Sequence, residues 1–293
     1  MKIYLLANPN SGDKSALEKY EKLIQIYPEI DFKLYITTKV DDEKNQISAI
    51  LSSYNKNEDA ILVIGGDGTL SKVLSHLPKD IPFAYYPSGS GNDFARSLKI
   101  NHIDNIILAI KRKQKQVINV INYNNGIIIN SLDFGFAAKV ISFSETSPLK
   151  TILGKVKLGK LVYPLYGIVS LFCTPTATVF LETEQEKLTL SNIFFLSFAN
   201  SRYFGGGIVV WPNASPFGTN IDCVYFEDEG LMKNVKTLLA ILFKKHQNTT
   251  AINHKVFKKV TITSIKENIV QVDGEVIETN QLSLCCEQRE IYL

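Results

Sequence analysis

The chain has 293 residues, 45% of them apolar and 21% charged, with a formal net charge of +3. These proportions suit a globular protein with ample core and exclude a disordered chain. The small charge gives no footing for nucleic acid, and the longest apolar stretch, Leu161 to Cys173, is shorter than the ~20 residues a bilayer span requires.

From the N-terminus, short apolar runs alternate with amphipathic ones. The pattern predicts strands near 2–8, 31–37, 59–64 and 82–86, and helices near 14–27, 41–54, 68–77 and 103–113. Such alternation implies an α/β domain with a mostly parallel, Rossmann-like sheet and right-handed crossovers. After Lys115 the texture changes. Val117–Tyr123 and Gly126–Leu132 read as paired strands around the turn Asn124-Asn125-Gly126. Further strands are predicted at 175–183, 187–198, 221–226, 255–264, 268–272 and 281–293, interrupted by helices near 134–145, 150–172 and 230–243. The second half thus reads as β-rich with a few helices. The boundary falls near residue 122, dividing 1–122 from 123–293.

Cys173, Cys223, Cys285 and Cys286 have neither metal-ligand spacing nor a secreted disulfide framework, and read as buried, reduced thiols of a cytosolic protein. The chain enters its first strand directly, without the apolar segment of a signal peptide.

Three predicted strands end in polar, glycine-bearing loops. The first runs into Asn8-Pro9-Asn10-Ser11-Gly12, the third into Gly65-Gly66-Asp67-Gly68-Thr69, and the fourth into Pro87-Ser88-Gly89-Ser90-Gly91-Asn92-Asp93-Phe94-Ala95-Arg96. Glycines let a phosphate approach backbone N–H groups, and a helix N-terminus favours negative charge. Asp67 can hold magnesium or its water shell, and Thr69 can donate to a phosphate oxygen. A strand-to-helix turn with a capping Asp would produce the same residues at 65–69, and Asp93 or Asn92 could cap a helix beginning near Phe94. In a doubly wound sheet, however, all three loops would line one edge, where ligands bind. That coincidence favours a nucleotide phosphate.

Other chemistries lack their signatures. There is no Walker A sequence and no G-x-S-x-G elbow, and Gly89-Ser90-Gly91-Asn92-Asp93-Phe94 fails the dinucleotide fingerprint at Phe94. His76, His102, His246 and His254 share no zinc spacing with cysteines or carboxylates.

The three loops resemble those of the diacylglycerol kinase-like lipid kinase family, in particular its bacterial two-domain members within the NAD kinase/diacylglycerol kinase superfamily. The likeness continues along the chain. Asn200, Tyr203, Gly205–Gly207, Pro212 and Ala214 are similar to the family's second-domain signature, and Asp273-Gly274-Glu275 to its late catalytic motif. The resemblance implies a Rossmann-like domain followed by a β-sandwich, with ATP and Mg2+ as cofactors and γ-phosphoryl transfer to a hydroxyl of a lipid such as diacylglycerol. It implies that Asn8, Asn10, Ser11, Gly12, Gly65, Gly66, Asp67, Gly68, Thr69, Ser88, Gly89, Ser90 and Asn92 hold the nucleotide, and that Asp67 and Asp93 organise the metal. Asp273 would accept the hydroxyl proton, with Glu275 as second base or metal contact. Without the resemblance, Asp273-Gly274 reads as a hairpin turn.

Two departures stand out. Phe217 occupies the place of a family Asp that helps hold a structural metal, and Gly135-Phe136-Ala137-Ala138 lacks an Asp common after Gly-Phe. On the lipid side, Lys150, Lys155, Lys157 and Lys160 are interspersed with Ile152, Leu153, Val156, Leu158 and Leu161. Such a stretch suits an anionic surface at the inner face of the membrane, or equally a half-buried helix with a solvated lysine face. A homodimer is allowed by the resemblance and demanded by no residue. The competing functions are a nucleotide- or lipid-binding regulator without turnover and an NAD kinase-like enzyme with a soluble acceptor.

Overall fold

The computed structural model describes residues 1–12, 15–124, 126–145, 147, 162–246, 249–265 and 269–293. Asn125 and the lysine-rich stretch from Lys150 to Lys160 lie outside the described residues.

The first domain runs β1 (Lys2–Ala7), α1 (Ala16–Ile26), β2 (Asp31–Ile36), α2 (Glu43–Leu51), β3 (Ala60–Gly65), α3 (Asp67–His76), β4 (Phe83–Pro87), α4 (Asp93–Ser97) and α5 (Ile103–Lys111). Its strands lie in the order β2-β1-β3-β4, all parallel. β3 reads Ala-Ile-Leu-Val-Ile-Gly and is buried along its whole length, as a strand covered on both faces must be. Ile61 and Val63 pack with Leu70, Val73 and Phe94 on one face. Leu62 and Ile64 pack with Leu23, Ile106 and Ile110 on the other. Alternation along one strand thus glues helices to both sides of the sheet.

The second domain comprises β5 (Lys115–Tyr123), β6 (Gly126–Ile128), β7 (Ser131–Gly135), α6 (Phe136–Glu145), α7 (Val162–Cys173), β8 (Ala177–Glu182), β9 (Lys187–Ala199), β10 (Tyr203–Phe204), β11 (Ile208–Val209), β12 (Ile221–Glu227), α8 (Leu231–Leu242), β13 (Asn253–Phe257), β14 (Lys259–Ile265), β15 (Ile269–Val272), β16 (Glu275–Glu278) and β17 (Gln281–Tyr292). These strands pair antiparallel, in the order β16-β15-β7-β9-β8-β14-β17, with β12 and β13 branching from β9 and β5 and β6 from β17. The first half of β9 pairs with β8 and its second half with β7 and β12, so one long strand links two regions of a single sheet that folds over on itself. Leu132, Phe134, Leu196, Phe198, Ile262 and Leu284 fill the space between them. Each side chain so buried stabilises the fold by roughly 1.5–3 kcal/mol. The chain is thus an α/β domain with a mostly parallel sheet, followed by a β-rich domain with few helices.

The far end of β17 returns to the first domain. It pairs with β5 along nearly its whole length and then meets β4 in parallel at Ile291 and Phe83. Ile291 and Tyr292 enter the two apolar layers of the first sheet.

Two expectations need correction. The strand predicted over Gly126–Leu132 breaks into β6 and β7, because the N–H groups of Ile129, Asn130 and Ser131 turn toward Asp273 instead of a neighbouring strand. Of the four cysteines, all free, only Cys223 is buried. Cys173 is exposed at the end of α7, and Cys285 and Cys286 are half-buried.

Candidate functional site

Register carries the three loops to one edge. Ala7 pairs with Ile64, and Gly65 with Pro87, so β1, β3 and β4 end at the same level. Strand order reverses between β1 and β3, which opens the crevice where open α/β sheets bind ligands. α3 starts at Asp67 and points its first N–H groups, which have no partner within the helix, toward that edge.

The loops pack backbone against backbone. A Cβ on Gly89 would lie 2.6 Å from the Cα of Gly66, and one on Gly12 would lie 2.3 Å from the Ser88 carbonyl oxygen. Gly12 also has φ +53°, a conformation that disfavours side chains. At Gly65 a Cβ would strike Thr69 at 2.6 Å. Polar side chains tie the contact. Asn8 Nδ2 donates to Thr69 Oγ1 (3.0 Å), the Asn10 N–H donates to Asn8 Oδ1 (3.0 Å), and the Ser11 and Ser88 hydroxyls lie 2.8 Å apart. Asn92 Nδ2 donates to the Gly89 carbonyl at 2.7 Å. Gly68 sits in the first turn of α3, and Ser90 is exposed at the tip of its loop. The structure therefore brings together all thirteen positions that sequence reasoning assigned to the nucleotide.

The two carboxylates of this region differ. Asp67 accepts the backbone N–H of Asp93 at 2.8 Å and lies 3.4 Å from the Tyr85 hydroxyl. Burial pushes its carboxyl up to about 6, and the nearby Asp93 charge adds to the rise. The N-cap of α4 is Asn92, whose side chain makes no capping hydrogen bond, and Asp93 is the first residue of the helix. Asp93 accepts the Gly206 N–H at 2.7 Å, which joins α4 to the second domain, and its other oxygen pairs with Arg96 within the same helix. Burial raises its carboxyl as well. Arg96 in turn lies over the Tyr203 ring, 5.4 Å from its centre. The signature residues Tyr203 and Gly205–Gly207 thus dock on the loop that follows β4.

Opposite stands the β15–β16 hairpin. Asp273 and Gly274 form its two-residue turn with φ +46° and +92°, the double left-handed geometry of a type I′ turn. The hairpin reading of Asp273-Gly274 therefore holds. The Asp273 carboxylate accepts the N–H groups of Ile129 (2.8 Å), Asn130 (2.8 Å) and Ser131 (3.2 Å). Burial nevertheless dominates these bonds and, with help from the Asp67 charge, raises the carboxyl to about 7. Gly68, Ser71 and Lys72 of α3 face Tyr123, Asp273 and Glu275 across a cleft between the domains.

Several residues of this site escaped sequence reasoning. Lys72 bridges Asp41 and Glu275, each at 2.9 Å, and links α3 to the hairpin. Ser71 donates to the Ile127 carbonyl, and Ser75 accepts the Ile127 N–H at 3.0 Å. Arg289 on β17 donates to the Leu77 (2.7 Å) and Leu74 (3.0 Å) carbonyls at the far end of α3. Asn119, also unforeseen, shares a buried bond at 2.9 Å with the signature residue Asn200, which also donates to the Ile129 carbonyl beside the Asp273 cradle. Only a basic residue near a helix C-terminus carries a local signal, and Arg289 is supplied from more than 200 positions away. Among the described residues, no group of three or more His, Cys, Asp or Glu side chains could hold a metal by itself, and Asp222 pairs with His254 at 2.7 Å.

Residues 2–123 match the diacylglycerol kinase catalytic domain family, and residues 134–288 match the YegS C-terminal NAD kinase beta sandwich-like domain family. The chain is 26% identical over 298 residues to the "Putative lipid kinase YtlR" of Bacillus subtilis (strain 168), covering 96% of this chain and 95% of that protein. It is 25% identical over 242 residues to a "Putative lipid kinase" of Staphylococcus aureus (strain Mu3), covering 76% and 73%. A crystal structure described as a diacylglycerol kinase from Bacillus anthracis str. Sterne superposes with a TM-score of 0.75 at 19% identity, over 99% of this chain and 96% of that one. At that identity the superposition speaks for the fold.

Proposed function

The chain belongs to the diacylglycerol kinase-like family of kinases, and from that premise we propose that it transfers the γ-phosphoryl group of ATP to the hydroxyl of a membrane lipid, diacylglycerol being the type acceptor. The observation that carries the reading is the interdomain cleft itself, where Gly68, next to Asp67 in the glycine-rich loop, and Asp273 of the opposite hairpin line the same space.

Phosphoryl transfer asks little covalent chemistry of a protein. It needs phosphates held in place, charge compensation and a carboxylate at the attacking hydroxyl. The interlocked loops at Asn8–Gly12, Gly65–Thr69 and Ser88–Asn92 offer backbone and side-chain donors for the phosphates. Asp67 has no cation against it among the described residues, so its raised carboxyl fits a divalent cation shared with phosphate oxygens. Magnesium there would draw charge from the transferring group. Asp93 is left out of this metal set because Arg96 and Gly206 hold its oxygens. Asp273 takes the proton of the acceptor hydroxyl as that oxygen bonds to the γ-phosphorus. The bond from phosphorus to the bridging oxygen breaks, and ADP departs with the electron pair. A carboxyl near 7 is matched to this task at neutral pH. Glu275, held by Lys72, positions the hairpin.

The acceptor is met at the cytoplasmic face of the membrane. No described helix is long and apolar enough to span one. Leu165, Ile168, Val169 and Phe172 instead recur along one face of α7 and are all exposed, as are Leu239, Leu242 and Phe243 at the end of α8. Lys244 and Lys245 follow directly, as an anionic surface would favour.

The test is transfer of labelled γ-phosphate from ATP and magnesium into a panel of lipids in mixed micelles, with Asp67→Ala alongside. One labelled lipid that disappears with the variant supports the reading and identifies the acceptor. Bound ATP with no labelled lipid overturns it.

A further inference from the structure

A second, open pocket of about 380 Å³ lies on the β-rich domain, within the range of roughly 300–1,000 Å³ typical of small-molecule sites. Arg202, Tyr203, Val209, Pro212, Lys244 and His246 line it, and it shares no lining residue with the cleft at Asp273. We propose that Arg202, Lys244 and His246 form a binding site for a phosphoryl group, separate from the site of transfer.

Three observations carry this. Arg202 and Lys244 are exposed cations with no carboxylate partner among the described residues. His246 is only 7% exposed, yet neither ring nitrogen has a hydrogen-bond partner among those residues. One of the two nitrogens carries a hydrogen in either tautomer, so the residue lining the pocket wall holds a buried donor without an acceptor. Lys244, finally, occupies a conformation that normally selects glycine. It has φ +58° just past α8, where the Lys245 N–H bonds the Ala240 carbonyl and the Lys244 N–H the Ile241 carbonyl. This is a Schellman ending with lysine at its left-handed position, and it sets the lysine side chain on the rim beside His246.

Two cations and an imidazole donor around an open concavity match a phosphate monoester. Leu242 and Phe243, exposed immediately before Lys244, would lay a lipid surface against the same rim. The phosphoryl group is therefore one carried by a lipid headgroup or one free in solution, and the two sources separate by experiment.

Trp211, the single tryptophan, has its ring centre 6.1 Å from that of His246 and reports on the pocket. Its emission, with calorimetry as a second readout, is followed against inorganic phosphate, against phosphatidylcholine vesicles with and without phosphatidic acid, and against chloride at equal ionic strength. The expected result is saturable binding of phosphate or of phosphatidic acid vesicles, absent with chloride and weakened about tenfold by Arg202→Gln with Lys244→Gln. Saturation by phosphate alone names the free anion, and saturation by phosphatidic acid vesicles alone names the headgroup. No saturable binding by either readout, or binding that the double variant leaves unchanged, overturns the proposal. Binding is read without turnover, so the outcome is independent of the kinase assay. Both substituted side chains are on the surface, and His246→Phe provides a third variant that removes the buried donor without adding charge.

Discussion

Asp273 is held by opposing forces. Three backbone N–H groups favour its anion, while burial and the Asp67 charge favour the neutral acid, and the acid gains until about pH 7. Its pKa is raised, so the ionised base is lost as pH falls through that value. kcat/KM for the acceptor is expected to fall on the acid side with a limb near 7, and Asp273→Asn to lower kcat by about 10²–10⁴-fold and abolish that limb. A variant that keeps the limb would assign it to another group. ATP affinity should change little, because Asp273 belongs to the hairpin and not to the three loops. Much of this site was legible in the sequence, because Asp67 and Asp273 sit in loops whose backbone demands (glycines at 65, 66 and 274) are written locally. Lys72, Tyr85 and Arg289 were not legible. Their roles arise from side chains reaching another element, and no local pattern distinguishes Lys72 from any solvated lysine on a helix.

At the scale of elements, α3 is the axle of the molecule. Asp67 stands at its first turn, Lys72 and Ser71 reach the second domain from its middle, and Arg289 closes its last carbonyls. Arg289→Met keeps the volume but leaves those carbonyls without a donor. It is expected to destabilise the protein by about 2–4 kcal/mol, read as a lowered denaturation midpoint. Gly89→Ala works at the other end. Its methyl would press on the Cα of Gly66, which cannot turn aside as a side chain could, so the loops must part. ATP binding weakened about tenfold is expected, with a stability loss of about 1–3 kcal/mol. Unchanged ATP affinity would show that the loops do not need their close approach. The alternation of strand and helix in the first domain was legible because both periodicities are strong there. The split of β6 from β7 was not, since it follows from Asp273, distant in sequence, drawing three N–H groups out of the ladder. The short β10–β11 pair was equally hidden, its two-residue strands being too brief to carry a period.

For the whole molecule, the exposed apolar faces of α7 and α8 make a prediction about where the protein works. Ile168→Glu with Phe172→Glu places two charges at positions 59% and 70% exposed, so folding should be unaffected. Sedimentation with vesicles is expected to drop about tenfold or more, while activity on a short-chain, water-dispersed acceptor is retained. Equal loss on both acceptors would count against a membrane-facing surface. The chain's last strand carries a different consequence. β4 gains its outer neighbour only at Ile291, and α3 gains its closing donor only at Arg289. At roughly 5–20 residues per second, a ribosome needs about 10–40 s to travel from β4 to β17. Throughout that interval the nascent first domain lacks the strand contact at Phe83 and the donor for the last carbonyls of α3, so both are completed only after the second domain has been made.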